Sequence, residues 1–154
     1  MTIENFISHI VDVVEKCVVL KNMHVQEKDL PVDYICLFSH TQQEYDVFLA
    51  LASQIGTMVD ETKTGPVFQL NQQISTSAGS AKVLKIRTPD VTKPQLGDVD
   101  FTTDYPLFKQ KYMNQKGFTL IVREKFEMLE LNDEQSDVLV YFSSIPPSTL
   151  VGVV

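Results

Sequence analysis

Two short stretches of this 154-residue chain carry a charged side chain at every second position, with apolar residues between. Leu84 and Ile86 alternate with Lys85 and Arg87, and Val99 and Phe101 alternate with Asp98 and Asp100. Successive side chains of a β-strand point to opposite faces, so each stretch has an apolar face and a charged one. Turning the apolar faces toward a helical layer sends Lys85, Arg87, Asp98 and Asp100 into a shared concave cup. An ammonium and a guanidinium there would bind an anionic or carbonyl-bearing molecule, and a carboxyl beside them would orient it. Burying an unpaired charge is costly, so these four residues are the most informative in the sequence.

Glu127 and Glu130 fall on opposite faces of a later strand, so one of them is expected to face the cup. Glu127 shares its alternation with Leu129 and Leu131. Paired with Asp100 it would do acid–base work or hold a divalent cation; solvated edge charges explain both glutamates equally well. His9, His24 and His40 share no ligand spacing and read as surface or packing residues. Cys17 and Cys36 lie in apolar settings and read as buried, reduced thiols, with no histidine beside Cys36 to activate it. The sequence has no Ser-His-Asp set, no CxxC and no dinucleotide fingerprint. Thr64-Gly65-Pro66 reads as a turn, because it lacks the lysine and spacing of a phosphate loop.

A net charge of −7 argues against broad contact with nucleic acid, which needs a basic face. The apolar runs are short and interrupted, so no membrane span is expected. Met1-Thr2-Ile3-Glu4-Asn5 lacks a basic leader region, and a cytoplasmic location is the expectation that follows. The length suits one domain with a real core.

The elements that must position these residues follow from periodicity. Ile3, Phe6, Ile7, Ile10, Val14, Cys17 and Val18 form one helical stripe, capped by Thr2. The polar stretch Asn22 to Asp29 reads as a linker. Asp33 to Phe38 is a strand, and Thr41 with Glu44 opens a helix as a capping box. That helix is expected to stop at Gly56 in a left-handed cap. Strands follow at Thr57 to Thr62, Pro66 to Leu70 and Lys82 to Arg87. After the connector Thr88 to Gly97 the order repeats. Asp98 to Thr102 is a strand, Asp104 caps a helix with Pro106 in its first turn, and Gly117 ends that helix. Phe118 to Arg123, Phe126 to Leu131 and Asp137 to Ser143 are three more strands.

The fold class expected is therefore α+β: two tandem β-α-β-β-β modules forming a cupped mixed sheet, with an N-terminal helical extension. The extension covers residues 1–30 and the paired domain 31–154, with module one at 31–88 and module two at 97–145. A ferredoxin-like β-α-β-β-α-β order, with one strand fewer after each helix, is the rival.

Asp33-Tyr34-Ile35-Cys36-Leu37, Val67-Phe68-Gln69-Leu70-Asn71, Val83-Leu84-Lys85-Ile86 and Val140-Tyr141-Phe142 resemble successive strand motifs of the vicinal oxygen chelate superfamily, which includes glyoxalases and extradiol dioxygenases. Within it the chain looks most like the YecM-like branch, and the likeness spans most of residues 1–145. The resemblance implies a divalent metal held by His and Glu side chains from the first and last strands of each module. The matching positions fall at or near Tyr34, Lys85, Asp100 and Tyr141 or Phe142, none of them histidine. An ammonium cannot ligate a cation and repels it. The expectation is thus a degenerate metal site in which Lys85 supplies the charge and pairs with Asp100, with Asp100 and Glu127 as fallback ligands. Tyr34 reads as a hydrogen-bond donor or as core.

Two functions remain open on these residues. The first is small-molecule binding in the cup, with Tyr34, Lys85, Arg87, Asp98, Asp100, Glu127 and Tyr141 as candidates and no cofactor required. The second is a non-catalytic interaction module, in which side chains fill the cup and the first helix or the Ile145-Pro146-Pro147 tail meets a protein partner. Either would act as a monomer or homodimer. An open polar pocket favours the first and a closed volume the second.

Overall fold

The structure is a computed structural model and describes residues 1–153. A long helix, α1 (Ile3–His24), is followed by β1 (Val32–Phe38), α2 (Gln42–Ile55), β2 (Gly56–Thr62), β3 (Gly65–Thr76) and β4 (Gly79–Arg87). The second half gives β5 (Gly97–Phe101), α3 (Tyr105–Tyr112), β6 (Phe118–Val122), β7 (Glu127–Leu131) and β8 (Leu139–Ser143). A single-turn helix, α4 (Pro147–Leu150), comes last. Each half is a β-α-β-β-β unit, so the ferredoxin-like rival is excluded.

The eight strands form one sheet in the order β2-β3-β4-β1-β5-β8-β7-β6. β1 runs parallel to β4, β5 runs parallel to β8, and the two modules meet where β1 and β5 pair antiparallel. The second module's order mirrors the first about that seam, which relates the halves by a pseudo-two-fold axis. Alternation then sorts the faces. Ile35, Leu37, Leu84, Ile86, Val99, Phe101, Val140 and Phe142 are buried under the helices. Tyr34, Cys36, Phe38, Lys85, Arg87, Asp98, Asp100 and Tyr141 point the other way.

Helix α1 crosses the middle of the sheet, and its Phe6, Ile10, Val13, Val14 and Cys17 are fully buried in the same core as both modules. Each such side chain contributes about 1.5–3 kcal/mol relative to exposure. The helix runs to His24, further than the sequence suggested, because Lys21 is itself buried and ties down the following segment. Its Nζ donates to the carbonyls of Glu27 (3.2 Å) and Lys28 (2.8 Å).

Three local expectations are corrected. Gly56 does not cap α2 in a left-handed conformation; its backbone is extended, at φ −155°. Glycine is needed there because an added Cβ would lie 2.8 Å from the carbonyl oxygen of Gln69 on β3. Asp104 precedes α3 without a side-chain capping bond. In the Thr41 box, Thr41 Oγ1 accepts from Glu44 N as expected, but the Glu44 carboxylate accepts from the His40 amide. Gly117, at φ +93°, does take the left-handed turn after α3.

β1 contains one irregularity that matters for the site. Val32 pairs with Phe101 and Tyr34 with Asp100, so Asp33 is an extra residue in the ladder. The bulge lets Val32 join the helical core while Tyr34, two positions later, turns into the cup. Asp33 also holds α4: its carboxylate accepts from the Ser148 amide (3.0 Å) and from the Ser148 hydroxyl.

Candidate functional site in the cup

The concave face encloses an open cavity of about 580 Å³. It exceeds the surface depressions beside α1, of about 390 and 470 Å³. Register builds its floor in rows. One row runs Val67, Lys85, Cys36, Asp98, Leu139 across β3, β4, β1, β5 and β8. The next runs Tyr34, Asp100, Tyr141, Glu130 across β1, β5, β8 and β7. Arg87 pairs with Phe38 one step beyond Lys85. The β2–β3 turn forms one wall with Thr62, Lys63 and Thr64. The β6–β7 hairpin forms the other with Arg123 and Phe126. Pro147, Leu150 and Val151 roof one end.

Lys85, Arg87, Asp98, Asp100, Tyr34 and Tyr141 therefore meet in one cavity. Glu127 does not. Its carboxylate lies on the helical side, bonded to the Tyr105 hydroxyl and 2.7 Å from Lys109 Nζ, and these two partners hold its pKa below the usual range. The alternation with Leu129 and Leu131 was the clue, because those leucines are core residues of the helical face. Glu130 takes the cup side and accepts from the Tyr141 hydroxyl at 2.6 Å.

The expected Lys85–Asp100 pair is also absent. Lys85 Nζ donates to Thr64 Oγ1, and Asp100 accepts from the Ser143 hydroxyl. The two stand in different rows, and the carboxyl in Lys85's own row is that of Asp98, across Cys36. Thr64 and Ser143 were not picked out from sequence. Ser143 continues the alternation of Leu139 and Tyr141 and was legible on that ground; Thr64 reaches Lys85 through the turn, which leaves no periodic signal.

Burial dominates the electrostatics. It lowers the pKa of Lys85, opposed by Cys36 and Asp98. It lifts Asp98 to about 7, against the pull of Lys85 and Arg87, and raises Asp100 well above the usual carboxylate value. At neutral pH Asp98 is therefore near half-ionised, and burial biases Asp100 toward its protonated form. Burial pushes the Cys36 thiol up as well, which removes it as a nucleophile. Arg87 stacks over Phe38 at 5.6 Å and bonds Asp90 at 3.4 Å, while its Nε is buried with no partner. The Tyr34 hydroxyl has no hydrogen-bond partner among the described residues.

These donors do not fit a divalent cation. A lysine and two aromatic residues stand at three of the four matching positions, and the fourth, Asp100, is disfavoured as a carboxylate by burial and bonded to Ser143. Among the described residues no three His, Cys, Asp or Glu side chains converge as ligands. The histidines lie elsewhere: His9 stacks on Phe48 at 5.6 Å, His24 meets Asp133 at 3.0 Å, and His40 bonds the Gln95 carbonyl at 2.8 Å. The Ile145-Pro146-Pro147 segment leads into α4, which packs on the cup rim through Asp33. No helix among the described residues is long and apolar enough to cross a membrane.

An eight-stranded cup of paired β-α-β-β-β modules is the fold the resemblance to vicinal oxygen chelate proteins implies. No family model and no curated protein matches the sequence. Among solved structures the chain is similar to "Structural Genomics, Protein EC4020", with a TM-score of 0.74 at 12% identity, covering 96% of this chain and 90% of that one. It is also similar to a glyoxalase/bleomycin resistance protein/dioxygenase superfamily member from Vibrio splendidus 12B01. That TM-score is 0.45 at 8% identity, over 74% of this chain and 97% of the other. At such identities the first likeness establishes the fold alone.

Proposed function

We propose that this chain is a small-molecule-binding protein of the vicinal oxygen chelate type, of the YecM-like branch, that holds an anionic, carbonyl-bearing ligand without a divalent metal. The reading rests on one observation: an open polar cavity with Lys85 and Arg87 on its floor, beside carboxyls that burial disposes to keep their protons. An ammonium and a guanidinium in a partly desolvated cup attract an anion strongly. Arg87 Nε, buried and unbonded, is a donor waiting for an acceptor. Tyr34 would donate to the ligand's carbonyl oxygen, and Lys85 would take the place that a metal holds in relatives.

Calorimetric titration with α-ketobutyrate, in chelator, tests this. Saturable one-to-one binding is expected, unchanged by added divalent ions. Lys85→Met should weaken it at least about tenfold, the worth of one charge-assisted hydrogen bond. Binding that appears only when a divalent metal is added would overturn the proposal.

A further inference from the structure

The cup is polarised along its strands. Lys85 and Arg87 lie toward the C-terminal end of β4, and Thr88, the next residue, bonds through its amide to the Thr64 carbonyl, which places Lys63 and Thr64 at that same end. The other end of the floor carries Val83 and Tyr34, and α4 is anchored there by Asp33. Val83 to Arg87 spans four residue steps, about 13 Å at ~3.3 Å each. At the α4 end most polar groups are already bonded to one another, Asp100 to Ser143 and Tyr141 to Glu130. Besides the Tyr34 hydroxyl, what remains open there is apolar: Phe126 and Met128 from the β6–β7 side, with Leu150 and Val151 overhead. Leu150 is 42% exposed, an apolar side chain left uncovered at the cavity rim. Arg123 also borders this end but stands exposed at the hairpin tip.

Resting on the reading above, we infer that the ligand is an amphipathic monocarboxylate. Its carboxylate sits against Lys85 and Arg87, and its hydrocarbon tail lies along the floor beneath α4. A second carboxylate at the tail end would meet Phe126, Met128 and Leu150, where the bordering cation, Arg123, is exposed at the hairpin tip and screened by water.

The test is a titration series of α-ketobutyrate, α-ketohexanoate, α-ketooctanoate and α-ketoglutarate, against the parent chain and Leu150→Asp. Affinity should rise about 3–4-fold per added methylene across the three monoacids, the worth of one buried methylene. The diacid should bind more weakly than α-ketohexanoate. Leu150→Asp, a change at an exposed site, should flatten the slope across the three monoacids. Binding that is independent of chain length, or tightest for α-ketoglutarate, overturns the tail assignment and leaves the parent reading intact. Failure of every acid to bind overturns both.

Discussion

Asp98 couples the cup to pH. Burial raises its folded-state pKa from 3.8 to about 7, so the native state holds the proton more tightly than the unfolded chain. A raised pKa contributes stability that is complete in acid, below about 4, and lost as the pH climbs through about 7. Asp98→Asn keeps the shape and cannot ionise. It should therefore be more stable than the parent at pH 8, on the order of 4 kcal/mol, with the difference closing toward pH 4. Urea unfolding at the two pH values checks this; an equal effect at both would sink it. Much of this chemistry was legible at the level of single residues. Alternation alone turned Lys85, Arg87, Asp98 and Asp100 inward, because each strand's apolar face had one place to go. What alternation cannot supply is partner choice. Lys85 bonds Thr64 and Asp100 bonds Ser143, contacts fixed by sheet register and turn geometry. Glu127 was misplaced although its leucine neighbours already marked the buried face.

Among the elements, the strands and the first two helices were the easiest to read, since each is amphipathic at its own period. α4 was not, being one turn long and opened by Pro146-Pro147, and no periodic signal exists at that length. It is held by Asp33 and by Val153, which packs on Val67 and Val83. Asp33→Ala should cost about 1 kcal/mol, the usual worth of a lost helix cap. Hydrogen exchange should quicken over residues 147–153 and stay unchanged in β4 and β5. Gly97 bears on a different element. A Cβ there would lie 2.3 Å from the Cys36 carbonyl oxygen and 3.2 Å from Val13 on α1. Gly97→Ala is expected to cost about 1–3 kcal/mol by overpacking the β1–β5 seam, read as a lowered denaturant midpoint.

At the scale of the whole molecule, α1 and the seam make two modules into one cooperative body. The duplication showed in sequence as a repeated order of elements. The strand order and its mirror symmetry did not, because pairing between β1 and β5 joins residues sixty or more positions apart. Ile10, fully buried on α1, faces the shared core, so Ile10→Ala should destabilise both halves together by about 2–5 kcal/mol in a single unfolding transition. Two separate transitions would show that the halves are independent. The sheet does not close on itself, and β2 and β6 each leave a flank of unpaired amides and carbonyls. Met58 on β2 and Val122 on β6 stand 54% and 70% exposed beside those flanks. A kink between Met58 and Asp60, the acids Asp60 and Glu61, and the five-residue length of β6 guard them against sticking to other chains. Colloidal behaviour in concentrated solution is thus governed at the two rims: replacing Asp60 and Glu61 by uncharged residues should provoke clumping of fully folded protein, with the melting temperature untouched.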